Sequence, residues 1–332
     1  MFAFPPVFDP AYYRNAYPEM TNLPDDILEM HYKERGRQEG RSACIYDRSE
    51  QLKVFLQQAV TNHNLTALEI GPFDAPFLIG DTVKYFDVLD TDGLKERAAR
   101  IGRTGTVPER IDYVSSVGDL SIVNESFDMV FSSHLIEHQP NLLKHLQLVS
   151  KILNKGGMYV LCIPDKRYCF DHFNAESTVS EVLQAYVEDR KVHPFKSVIE
   201  HYCLTVHNNS YDHWTGKHGE DSLSCERLSE AINTYLQANG GYIDVHSWQF
   251  TPHSFEKIIN GLYSLGMIDF SVHRLCQTVW GRLEFVAVLK KEAGTQHKAG
   301  EIEKKCGLIS CSQKGKKSFV EEMMNRIKNL LQ

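Results

Sequence analysis

The groups in this sequence that could do chemistry are a few acids and one glycine spread over the first third of the chain, and a crowd of histidines near residue 210. In "ALEIGPF" a short apolar run ends at Glu69 and Gly71, and a residue without a Cβ lets backbone come close to a bound group. A dinucleotide would ask for more. Its pyrophosphate needs a G-x-G-x-x-G pattern so that amides and a helix N-terminus can close on both phosphates. Here Pro72 and Pro76 follow instead, which argues against a nicotinamide-linked dehydrogenase and for a nucleoside that carries no phosphate. The next apolar run, "VKYFDVLD", puts Asp87 at its tip, where a carboxylate can accept the protons of both ribose hydroxyls. Asp90 is the alternative, or else the N-cap of a helix through "GLKERAAR".

The histidine-rich stretch, "EHYCLTVHNNSYDHWTGKHGED", holds His201, His207, His213 and His218 beside Asp212, Glu220, Tyr202, Tyr211 and Trp214. A metal site is one reading, although the spacings match no standard ligand pattern, and none is expected. A polar, aromatic acceptor pocket with one histidine as general base is the second. Helix ends and surface loops with ordinary hydrogen bonds are the third.

These groups need a frame. The pattern predicts a helix over 48–62 and strands near 66–70, 83–88, 111–114, 127–132, 157–163, 269–276 and 283–290. Strand and helix alternate up to residue 163, which implies parallel order. The last two strands are joined only by a short turn around Gly281 and must run antiparallel. The fold class is therefore α/β, a Rossmann-like, seven-stranded and mostly parallel sheet with an antiparallel last strand. A long stretch between the fifth strand and the final pair, about 166–250, exceeds what a crossover needs and reads as a helical lid. Residues 1–46 form an aromatic, helical N-terminal segment, 47–291 the main domain, and 292–332 a polar linker with a C-terminal helix. In that helix Ser318 and Glu321 make a capping box, and Phe319, Met323, Ile327, Leu330 and Leu331 share one face for docking on the domain or on a second copy.

Bulk properties narrow the partners. The chain has 332 residues, 42% hydrophobic and 24% charged, with a net charge of −7, which argues against a nucleic-acid backbone or an anionic membrane as its main partner. The eight cysteines show no C-x-x-C spacing, so a reducing cytoplasm fits best. "MFAFPPVF" has no basic start, and no apolar run reaches membrane-spanning length.

In order and spacing, these motifs resemble the class I S-adenosylmethionine-dependent methyltransferases of the type 11 kind over residues 47–291. The resemblance implies S-adenosyl-L-methionine as cofactor. It implies that Glu69 helps to hold the amino group of the methionine moiety, and that Asp119 of "SSVGDLS" receives the adenine amino group while Leu120 offers an apolar wall. Ser133, His134 and His138 of "SSHLIEH" would line the methyl group, and Pro164-Asp165 would end the fifth strand at the same edge. The departure from the family is the prolines after Gly71, with room for a helix of only one or two turns before the second strand. For an acceptor hydroxyl, His207 and His213 are the candidate bases, with His172 next.

The segment "FDPAYYRNAYPEM…DDILEMHYKERGRQEGR" resembles a module found beside glycosyltransferases and methyltransferases of bacterial surface-glycan synthesis. Read physically, it is a helix with Ile27, Leu28, His31 and Tyr32 on one face, ended by Gly36. The resemblance implies O-methylation of a sugar hydroxyl in a glycan or glycolipid precursor, in a homo-oligomer or a glycosyltransferase complex. A cofactor-binding subunit without turnover, and a small-metabolite or protein acceptor, are the other readings.

Overall fold

Strand β1 (Ala67–Ile70) is buried along its whole length and sits at the centre of the sheet, paired in parallel with β2 (Val83–Asp87) on one side and β4 (Phe127–Ser133) on the other. The computed structural model describes residues 2–221 and 223–292. Beyond β2 lies the short β3 (Tyr113–Val114), and beyond β4 the long β5 (Leu153–Pro164). β7 (Glu284–Lys291) runs antiparallel between β5 and β6 (Phe270–Leu275), giving the order β3-β2-β1-β4-β5-β7-β6. Every strand expected from the pattern is present. β5 starts earlier than expected because Leu153 already pairs with Phe127 before a register shift, and Gly156, at φ +75°, turns the chain there.

Helices cover the sheet. α1 (Pro10–Ala16) and α2 (Asp25–His31) belong to the N-terminal segment, and α3 (Ser49–His63) leads into β1. α4 (Thr91–Arg100) and α5 (Leu142–Lys151) are crossovers. α6 (Val179–Val187), α7 (Phe195–Leu204), α8 (Ser210–Trp214) and α9 (Cys225–Ala238) build the insertion, and α10 (Pro252–Ser264) returns the chain to β6. α6 begins with a capping box between Thr178 and Glu181, and α9 ends at Asn239 in the left-handed conformation, so both termini are chemically closed.

One face of the sheet packs Met129, Phe131, Val160 and Val288 against Leu52, Leu56 and Val60 of α3 and against Phe4 and Tyr46. Each such side chain contributes about 1.5–3 kcal/mol over its exposed state. Phe4 and Tyr46 tie the N-terminal segment to the core, and residues 2–292 lie in one compact unit. The segment keeps a small core of its own around Tyr13, Met20, Leu28 and Tyr32. α2 does not stop at Tyr32 but continues as a π-helical turn to Gly36. Gly40, at φ +65°, accepts a 2.7 Å bond from the Trp280 amide, and a Cβ there would meet Trp280 N at 2.6 Å and Trp214 Cη2 at 2.7 Å. Only glycine fits that turn.

The capping box at Ser318 and the apolar face from Phe319 to Leu331 lie outside the described residues. Among the described residues, no helix is long and apolar enough to cross a membrane.

Candidate active site

A cavity of about 440 Å³ opens at the carboxyl ends of β1, β2 and β4, within the range of small-molecule sites and at the sheet edge where open α/β folds bind ligands. Its floor is the loop after β1. No helix forms in the short room that the sequence leaves there, and Glu69 captures the loop's amides instead. Its carboxylate, 3% exposed, accepts from Phe77 N at 2.9 and 3.0 Å and from Leu78 N at 2.9 Å. Burial pushes the Glu69 carboxyl up to about 7, against the pull of those amide donors. Asp74 adds a second clasp through two bonds from Arg103, at 3.1 and 3.2 Å. Gly71 is left-handed at φ +73°, and a Cβ on it would press Leu135 Cδ1 at 2.9 Å.

Asp87 and Asp90 separate cleanly. Asp87 lines the cavity, is 7% exposed, and has one carboxylate oxygen fixed by the Val88 amide at 2.7 Å, with burial raising its carboxyl above the ordinary value. Asp90 accepts from Gly93 N at 2.8 Å as the N-cap of α4 and does not line the cavity. Asp119 is exposed and caps the turn Leu120–Ile122, where bonds from the Ser121 amide and hydroxyl hold its carboxyl low. Its neighbours Gly118 and the buried Leu120 line the cavity instead.

Ser133, His134 and His138 line the opposite wall. His134 takes the left-handed conformation at φ +48°, unusual for a residue with a Cβ, and so reverses the chain out of β4. Tyr242 and Asp244, from the end of the insertion, close the rim, and Arg97 pairs with Asp244 at 3.1 Å. His138 beside it holds the Asp244 carboxyl well below the carboxylate range.

The insertion's histidines do not reach this cavity. His207 accepts from Asn209 N at 3.2 Å with Nδ1 and donates from Nε2 to Lys217 O at 3.0 Å, which occupies both nitrogens of a neutral ring. His213 is buried, with Nε2 on His207 O at 3.0 Å and Nδ1 3.1 Å from His218 Nδ1. His172 bonds Arg167 O at 2.9 Å and stacks on His218 with ring centres 3.8 Å apart. These rings are hydrogen-bonded within their own turns and none of them lines the cavity. What the sequence reading left out is Glu137, Asp244 and His246, which surround His138, and Asp171, which holds His246. The spacing of His134, Glu137 and His138 along "SSHLIEH" was their one local signal.

A mostly parallel sheet in this strand order, closed by an antiparallel β7 and carrying its cavity at the carboxyl edge, has the Rossmann-like architecture of methyltransferases. A methyltransferase domain model matches residues 82–161, β2 through most of β5 and less than half of the chain. No curated protein sequence matches. Among solved structures, an S-adenosylmethionine-dependent methyltransferase from Clostridium acetobutylicum ATCC 824 is 13% identical with a TM-score of 0.26, covering 46% of this chain and 62% of its own. Magnesium protoporphyrin IX methyltransferase from Synechocystis PCC 6803, with S-adenosylhomocysteine bound, is 12% identical with a TM-score of 0.31, covering 81% of this chain and 100% of its own. The strand order, rather than these superpositions, defines the fold.

Over residues 82–161 the chain thus matches the domain of an enzyme, a methyltransferase, and the cofactor such a domain calls for is S-adenosylmethionine. The residues present fit that molecule. Close backbone approach at Gly71, a buried carboxylate at the β2 tip and an apolar wall at Leu120 suit a linker without phosphate, a ribose diol and a purine in turn.

Proposed function

We propose that the protein methylates a hydroxyl group of a sugar in a glycan or glycolipid precursor, using S-adenosylmethionine bound between Gly71, Asp87 and Leu120. The observation that carries the cofactor half is the buried, amide-fixed carboxylate of Asp87 facing the cavity. When bound, the sulfonium supplies an activated methyl group. The chain's part is to bind and align: Asp87 receives the ribose hydroxyls, Gly71 lets the aminocarboxypropyl arm pass, and Leu120 packs on the adenine. Tyr242 and Asp244 from the insertion exclude water, which in-line displacement requires. A hydroxyl acceptor must lose its proton as the new bond forms, and His134 and His138 are the histidines on the cavity wall.

The sugar acceptor is supported by the resemblance of the N-terminal segment, which packs on the domain at Gly40 and Trp280. Action in the cytoplasm, as a homo-oligomer or beside a glycosyltransferase, belongs to the same proposal. Transfer of labelled methyl from S-adenosylmethionine to a panel of glycans, small metabolites and proteins tests it. Label in a glycan is expected. Label in metabolites or proteins alone would replace the acceptor, and binding without transfer to anything would favour a subunit that does not turn over.

A further inference from the structure

Behind the cavity wall, Glu137 is wholly buried, and neither of its carboxylate oxygens has a hydrogen-bond partner among the described residues. Such a group is costly. An uncompensated buried charge penalises the fold by several kcal/mol, so an isolated carboxylate there calls for a counter-charge. Around Glu137 Oε1 converge His134 Nδ1 at 3.8 Å, His138 Nε2 at 3.9 Å and His246 Nε2 at 4.0 Å. These separations are too long for direct hydrogen bonds. They are close to those of atoms that share an ion, since bonds of 2.0–2.2 Å put tetrahedral ligands about 3.3–3.6 Å apart. The nearest ligand atoms of Glu137, His138 and His246 all lie within 4.8 Å of one another.

The chain also fixes the rings from behind. His246 Nδ1 lies 2.5 Å from Asp171 Oδ2, so Nδ1–H donates to that carboxylate and the Nε2 lone pair faces Glu137. Asp171 is itself held by Asn174 Nδ2 at 2.9 Å. His138 Nδ1 stands 3.1 Å from Asp244 Oδ1, a charge contact without hydrogen-bond geometry, and its Nε2 lies on the Glu137 side. Backbone geometry brings the two halves together, because Ser247 N donates to the Glu137 carbonyl at 2.8 Å. A carboxylate and two imidazoles, one of them oriented by an outer carboxylate and the other close to one, are the donor set of a borderline divalent metal. The other close group of histidines, His172, His213 and His218, has no carboxylate and spends ring nitrogens on the carbonyls of Arg167 and His207.

We propose that Glu137, His138 and His246 bind a divalent metal ion of the zinc, manganese or cobalt kind, which leaves one coordination position open. Because His134 and His138 also line the cofactor cavity, the ion's open position faces the acceptor. On the methyl-transfer reading, on which this last step rests, an acceptor hydroxyl ligates the ion and gives its proton to water. Its oxygen then forms the O–C bond as the C–S bond breaks and the electron pair stays on sulfur.

The test uses the full chain, stripped with chelator and titrated with Co²⁺ by calorimetry and absorbance, with S-adenosylhomocysteine affinity measured in parallel. The expected result is one equivalent of Co²⁺ with the visible bands of nitrogen and oxygen ligation. Glu137→Gln and His246→Gln should each weaken it more than about 100-fold, and Asp171→Asn about 10- to 100-fold, while S-adenosylhomocysteine still binds and so reports an intact fold. Co²⁺ binding without S-adenosylhomocysteine binding in the wild type would sustain the metal site and sink the methyl-transfer reading. The metal site is overturned if the wild type binds S-adenosylhomocysteine but no Co²⁺. It is equally overturned if Co²⁺ survives both ligand variants, or is lost instead in His218→Asn.

Discussion

Asp87→Asn separates the acid proposed to read the ribose from the acid that caps a helix. The substitution keeps the volume and leaves an amide oxygen for the Val88 N–H, which Asp87 now accepts at 2.7 Å, so the β2 tip should hold its shape. It removes the charged acceptor. Hydrogen bonds to a charged group are worth about 1.5–3 kcal/mol, and each 1.4 kcal/mol is tenfold in affinity, so S-adenosylhomocysteine should bind roughly 10- to 150-fold more weakly. Since burial already disfavours the charge on Asp87, the variant should melt no lower than the wild type. Asp90→Ala makes the control: it loses the bond from Gly93 N and with it about 1 kcal/mol of stability, with affinity unchanged. Calorimetric titration of the two variants beside thermal melts reads both effects. Equal affinity in Asp87→Asn and wild type, or an affinity loss that follows Asp90 instead, would refute the reasoning.

Further expectations come from the same geometry. Gly71→Ala forces a Cβ into a φ of +73° at a cost of about 1–2 kcal/mol and presses Leu135, so titration should show cofactor affinity lowered about tenfold; an unchanged constant would remove the close-approach argument. Gly40→Ala would drive a Cβ into the Trp280 backbone and should cost about 2–3 kcal/mol by denaturant unfolding while leaving cofactor affinity alone. Glu69 titrates near 7 in the folded protein against 4.5 as its ordinary value. The folded state therefore holds the proton more tightly, and this stabilising contribution is full below about pH 4.5 and lost as pH rises through 7. Glu69→Gln should flatten the fall in melting temperature across that window, and an identical pH profile in both proteins would show the carboxyl to be ordinary.

The strands were readable because runs such as Ala67–Ile70 and Phe127–Phe131 are apolar apart from one acid each, Glu69 and Asp128, as a sheet covered on both faces favours. The antiparallel end followed from the short connection around Gly281. Local chemistry also separated Asp87 from Asp90, since an acid ahead of "GLKERAAR" can cap that helix. The loop after β1 was not readable, because its form depends on Glu69 reaching amides several residues ahead and on Asp74 meeting Arg103. The histidines were not readable for a related reason: a ring bonded to carbonyls looks the same in sequence as one facing a cavity, and only the folded turn shows that both nitrogens of His207 are engaged. Glu137 meets His246 across the insertion, a distance in sequence that no local spacing encodes.

A crystal structure of the protein with S-adenosylhomocysteine tests the central claim most directly. The ribose hydroxyls should lie on the Asp87 carboxylate, the aminocarboxypropyl arm over Gly71 and the adenine against Leu120. A nucleoside seated elsewhere, or a site that takes up NAD while leaving S-adenosylhomocysteine in solution, would contradict it.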